Sequence, residues 1–74
     1  MVPAGGPHRG RVIAFDAIRG LGRVADAADG TEYPFHATAV ADGTRSIEVD
    51  TIVQFTATPG HGGRYEARSL TPTA

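Results

Sequence analysis

Cysteine, lysine and tryptophan are all missing from the 74 residues. Without thiols there is no disulfide framework and no thiolate metal site, and their absence fits a reducing compartment such as the cytoplasm. No apolar run approaches the ~20 residues that a membrane-spanning helix needs. Met1 to Pro7 lacks the charged and apolar regions of a signal peptide. Together these absences predict a soluble cytoplasmic protein with no membrane partner. An excess of positive charge is missing too: seven arginines face eight acids, for a formal net charge of −1. Binders of nucleic acid are usually basic, because phosphate contacts draw on cations. The cations present are all arginine, whose planar guanidinium both forks onto phosphate and stacks on a base.

Chemistry-bearing clusters are equally scarce. No serine is placed beside a candidate base and an orienting acid. His8, His36 and His61 fit no metal-ligand spacing. Asp16, Asp26 and Asp29 lie in or near turns, where aspartate commonly caps the backbone. A small barrel has a filled interior with no cleft for a carboxylate pair. No catalytic residue, metal or cofactor is expected, and the chain is read as a binder, not an enzyme.

A helical period is also lacking, because no ten-residue stretch repeats its apolar positions every 3.6 residues. What is present is a series of short β-rich runs cut by ten glycines and five prolines. Arg11–Phe15 is the first run, closed by a turn from Asp16 through Gly20, and Leu21–Ala27 is the second. Asp29-Gly30 marks a hairpin turn, since glycine accepts positive φ. Thr31–His36 follows, and Pro34 inside it predicts an edge strand, a bulge or an interruption of the ladder. Ala37–Val40 reads as a single turn, and Asp42-Gly43 opens a loop. Thr51–Thr58 is the clearest strand, Pro59–Gly63 a flexible turn, and Arg64–Leu70 the last strand. The expected core is Val12, Phe15, Val24, Phe35, Val40, Ile47, Val49, Val53, Phe55 and Ala67. Five strands without a helix predict a small closed barrel or a sandwich, and closure is favoured because it removes exposed edges. A chain of this length buries only about 60% of its unfolded surface and is marginally stable.

The order of these pieces resembles the bacterial cold-shock domain over about residues 9–70. Gly10-Arg11-Val12 with Phe15-Asp16 is similar to the family's opening GKVKWFN. Arg19 to Val24 resembles the first RNA-binding motif, KGFGFI, and Tyr33 to Ala37 resembles the second, VFVHF. Asp29-Gly30 sits at the family's turn. Ala39-Val40 resembles its SAI, Val53-Gln54-Phe55 its VxF, and Gly60 to Ala67 its GPxGPxA. The resemblance implies an all-β, five-stranded OB-fold barrel of cold-shock type spanning 9–70, with a flexible tail at 1–8 and a second at 71–74.

The resemblance also implies binding of single-stranded RNA or DNA, by cations along the backbone and rings stacked on bases. Most of those rings are replaced. The family's first-strand Trp falls at Ala14, its first-motif Phe residues at Leu21 and Arg23, its second-motif Phe residues at Pro34 and Ala37, and its loop Phe near Thr44. His36 is retained, and Arg19 keeps the cation. The expected nucleic-acid-binding residues are Arg19, Leu21, Arg23, Tyr33, Phe35, His36 and Arg64, with Tyr65 and Arg45 bordering the same face. Weak binding with little sequence preference follows from so few rings. The alternative is an OB-fold module whose face of Ala14, Leu21 and Ala37 now meets a protein partner or a second copy.

Overall fold

A computed structural model describes residues 7–73; the expected tail lies outside them as far as residue 6. Five strands follow in order: β1 (His8–Asp16), β2 (Leu21–Asp26), β3 (Glu32–His36), β4 (Ile52–Pro59) and β5 (Tyr65–Pro72). They form one antiparallel sheet in the order β3-β2-β1-β4-β5. Its two outer strands lie beside each other, and just past β3 Val40 makes an isolated parallel bridge to Leu70 of β5. The expected turn at 37–40 is a 3₁₀ turn, Ala37–Ala39. No helix among the described residues is long and apolar enough to cross a membrane. Pairing extends past both ends of the expected 9–70, since β1 begins at His8 and β5 reaches Pro72.

Aspartates and glycines make the turns. Asp16 Oδ1 accepts from Ile18 N at 3.0 Å and Arg19 N at 3.1 Å, while Gly20 N donates to Asp16 O at 2.8 Å. In the next hairpin, Asp29 Oδ1 accepts from Thr31 N at 2.9 Å, and Gly30 takes φ +78°. That bond to the Thr31 amide, with a second to its side chain, holds the Asp29 carboxyl below its ordinary value.

Period-2 alternation sets the inner face. Val12, Val24, Phe35, Val53, Phe55 and Leu70 are fully enclosed, joined by Tyr33, Ala37, Val40, Ile47, Ala57 and Ala67. Two of the ten expected core residues differ. Phe15 is only partly buried and stacks on Phe35 with centroids 6.1 Å apart. Val49 is 49% exposed, because Thr51 N and Oγ1 both bond Glu48 O and close a tight turn that points Val49 outward. Bulges explain where alternation breaks. In β1 the register shifts between Val12 and Ala14, so Ala14 faces out and Phe15 faces in. In β5, Arg68 and Ser69 both face solvent, with Ser69 at φ +56°, and Leu70 turns into the core.

Pro34 fits β3 for a geometric reason. Asp26 N donates to Thr31 O and Ala37 N to Gly20 O, so the hydrogen-bonded pairs of the β2–β3 ladder alternate around the Arg23–Pro34 pair. The proline nitrogen therefore faces away from β2, and no bond of the ladder is lost.

Tyr33 belongs to the core. It is 4% exposed, and its ring packs against Phe55 at 5.5 Å and His8 at 6.1 Å. Burial pushes its phenol above the ordinary 10, and the carboxylates of Asp26 and Asp29 add to the effect. The fold therefore holds this proton more tightly than the unfolded chain does. That contribution is complete below pH 10 and is lost as pH rises through the raised value. Stability of the parent should fall in alkaline urea melts above pH 10, and Tyr33→Phe should flatten that fall. An equal decline in both proteins would contradict the assignment.

Candidate nucleic-acid interface

The outer face of β1, β2 and β3 carries two cross-strand rows. In one, Asp16 pairs with Leu21 and Leu21 with His36; in the other, Ala14 pairs with Arg23 and Arg23 with Pro34. The short hairpins enforce this, because an Asp29-Gly30 turn with fixed register leaves the residues of one row no other neighbours. The segments 19–24 and 33–37 thus share one wall.

An open groove of about 600 Å³ lies on this wall. Ala14, Leu21, Arg23, Pro34 and His36 line it, with Phe15, Gly22 and Phe35 at its base. Arg64, Tyr65 and Glu66 from the β4–β5 turn and the start of β5 complete it. Its charges balance, since Arg23 and Arg64 share the lining with Asp16 and Glu66. Arg23 Nη1 lies 3.5 Å from Glu32 Oε1, and Arg68 Nη2 lies 3.5 Å from Glu66 Oε1. The Arg23–Glu32 pair is exposed and worth little in water, so Arg23 is free to exchange its partner, whereas Glu66 is half-buried in its pair with Arg68.

A second groove of about 340 Å³ adjoins the first at His36, which lines both. Arg19, Thr38 and Arg45 line it as well, and none of its lining residues is an acid. Arg19 Nε is 3.8 Å from Asp16 Oδ2, again at the surface. Arg45 makes no ion pair among the described residues.

Of the seven expected site residues, Leu21, Arg23, His36 and Arg64 therefore meet in the main groove. Arg19 lies in the adjoining one. Phe35 is 1% exposed and supports the base from the core side, and Tyr33 is not available at all. Of the two tyrosines it is Tyr65, half-buried, that faces the groove. Ala37, expected on the apolar face, is buried. Ala14 and Pro34, where the resemblance would put rings, line the wall as small apolar groups. Glu66 is not among the expected site residues; it lines the groove with its neighbours Arg64 and Tyr65 at the start of β5, so alternation along the strand does not mark it.

Among the described residues no three histidines, aspartates or glutamates gather as a metal site would need. No protein-family model matches the chain, and no curated protein matches it.

Proposed function

We propose that the chain is a cold-shock-type OB-fold barrel that binds single-stranded RNA or DNA weakly and with little sequence preference. The pairing of Leu21 with His36 and of Arg23 with Pro34, beside Arg64, carries the reading. OB-folds bind oligonucleotides on the face of strands 2 and 3 and at the loops joining strands 1–2 and 4–5. The two grooves occupy that location here. The strand order and the Val40–Leu70 bridge support the barrel, because they bring the free sides of β3 and β5 together.

In this reading the apolar base and His36 receive bases. Arg19 and Arg45 in the acid-free groove, with Arg23 and Arg64, follow the phosphates. Neutralising three or four phosphates gives a slope of about −2 to −3 for log K against log salt, or roughly 15- to 70-fold weaker binding between ~50 and ~200 mM salt. Fluorescence anisotropy with labelled oligopyrimidines measures it. His36→Ala should weaken binding by roughly 5- to 150-fold, the range for losing one stacked ring. Arg23→Ala should instead flatten the salt slope by about 0.7. No binding at low salt with protein near a millimolar would end the proposal.

The balanced charge and apolar base of the main groove favour a second reading, in which it receives a protein segment from a partner or a second copy. Sedimentation of the free chain tests the second-copy form, which a monomer at all concentrations would oppose.

A further inference from the structure

The smaller groove gathers hydrogen-bond donors with no acid among them. Arg19, His36, Thr38 and Arg45 line its volume of about 340 Å³. It lies where the wall ends. Ala37 N donates to Gly20 O at 2.8 Å, tying the 3₁₀ turn after β3 to the turn before β2, and His36 leads from there into the main groove. The acids beside the two arginines in sequence are engaged or lie outside the groove. Neither Asp42 nor Glu48, on the loop of Arg45, lines it. Asp42 Oδ1 accepts from Thr44 N at 3.0 Å and from Thr44 Oγ1 at 2.9 Å, and these bonds hold its carboxyl below the ordinary value. Asp16 Oδ1 accepts from Ile18 N and Arg19 N, and its Oδ2 keeps only a 3.8 Å surface pair with Arg19, which a stronger anion displaces. Arg45 takes φ +59°, a backbone state that costs a non-glycine residue energy and that clusters at ligand clamps. Thr44 Oγ1 also bonds Ser46 O at 3.1 Å, so bonds on both sides of Arg45 fix where its side chain begins.

We propose that this groove seats a terminal phosphate, so that the chain prefers a single strand with a phosphorylated end over one ending in a hydroxyl. A phosphodiester within a strand carries a single negative charge. A terminal phosphomonoester carries about −1.5 to −2 near neutral pH and offers three free oxygens. Two guanidinium forks and the Thr38 hydroxyl suit such a group better than they suit a diester. The place of the groove, at the end of the wall, favours the end of a strand over its middle. Its continuity through His36 with the row in which Leu21 pairs with His36 favours a strand over a free phosphate or a phosphopeptide. The inference rests on the single-strand binding proposed above and adds recognition of an end to it.

Competition anisotropy reads the preference. One labelled oligopyrimidine is displaced at low salt by unlabelled strands of the same sequence carrying hydroxyl ends, a 5′-phosphate or a 3′-phosphate. One of the two phosphorylated strands should bind about fivefold or more tighter than the hydroxyl-ended strand, the effect of a good exposed ion pair. The other should gain less than about twofold, as a charge without a seat is screened. Arg45→Gln and Arg19→Gln should each bring the larger gain down to that level. Arg23→Gln should weaken all three strands and keep the gain. Unfolding midpoints equal to the parent's show that the variants fold. No gain at either end, equal gains at both, or a gain that Arg45→Gln leaves intact overturns the seat while strand binding stands. A nucleoside monophosphate that competes as well as the phosphorylated strand makes this a free-nucleotide site, and a phosphoserine peptide that does so makes it a protein site; either result overturns the proposal. If the parent binds no strand, the underlying function fails first and the seat for an end fails with it.

Discussion

Gly22→Ala should lower the thermal midpoint by roughly 4–24 °C, from a cost of about 1–3 kcal/mol at about 4–8 °C for each kcal/mol in a domain of this size. The new Cβ would fall on the Phe35 ring and 2.8 Å from Ala14 O. Neither can retreat, because Phe35 is fully enclosed and Ala14 belongs to the β1 ladder. Overpacking of this kind costs about 1–3 kcal/mol. Gly30→Ala provides the control. Gly30 has open space around its would-be Cβ but takes φ +78°, so alanine there should cost only about 1 kcal/mol of backbone strain. Gly22 presents the opposite case, crowding without positive φ. If Gly22→Ala melts within a degree or two of the parent, the tight contact between β2 and the Phe35 ring is wrong, and so is the base of the groove. The same substitution should weaken oligonucleotide binding beyond any loss seen with Gly30→Ala, because the displaced ring lies directly beneath the wall.

Asp26→Ala should cost about 1–3 kcal/mol in chemical denaturation near neutral pH, the cost of leaving a buried polar group unpaired. Asp26 is the one buried acid among the described residues, 7% exposed. Its Oδ2 accepts from His8 Nδ1 at 2.8 Å, and its Oδ1 accepts from Ala28 N at 2.8 Å. The first contact ties the start of β1 to the end of β2, and the second shapes the following turn. His8 is also stacked on Phe55 with centroids 5.3 Å apart. Truncating the carboxylate leaves two donors without their partner. Asp26→Asn keeps an acceptor for Ala28 N and should cost about half as much. Hydrogen exchange should show faster amide exchange at the first residues of β1 in Asp26→Ala. Unchanged exchange there, with an unchanged denaturation midpoint, would mean that the pair contributes nothing.

His8 also shows where sequence reasoning runs out. Its partner is 18 positions away, and nothing local distinguishes it from the Pro- and Gly-rich residues before it, so it reads as tail. The turns are legible because their chemistry is local: Asp29-Gly30 and Asp16 to Gly20 make their own hydrogen bonds. Pro34 correctly marks an edge for the same reason. The wall formed by Leu21, Arg23 and His36 follows from two adjacent short hairpins. Tyr33 was legible in principle, because it sits two residues from Phe35 and period 2 puts both on one face. Leu70 is not, since the bulge in β5 shifts the alternation and the sequence does not mark where an extra residue is inserted; Phe15 is expected in the core, and the β1 bulge turns it inward, where it packs half-buried against the core. Arg64 joins the wall only through tertiary folding. The resemblance to a known domain, not local chemistry, placed it there.

Pro34 has a consequence for how this molecule is recognised. An extended chain that docks by lengthening a sheet needs a rung of amide donors to grip. At the middle of β3 that rung has no hydrogen. Two copies cannot zip together there into the stacked ribbons from which fibrils grow. Under the proposed function, a strand laid across β3 at Pro34 would meet the side chains of the wall there and no backbone donor.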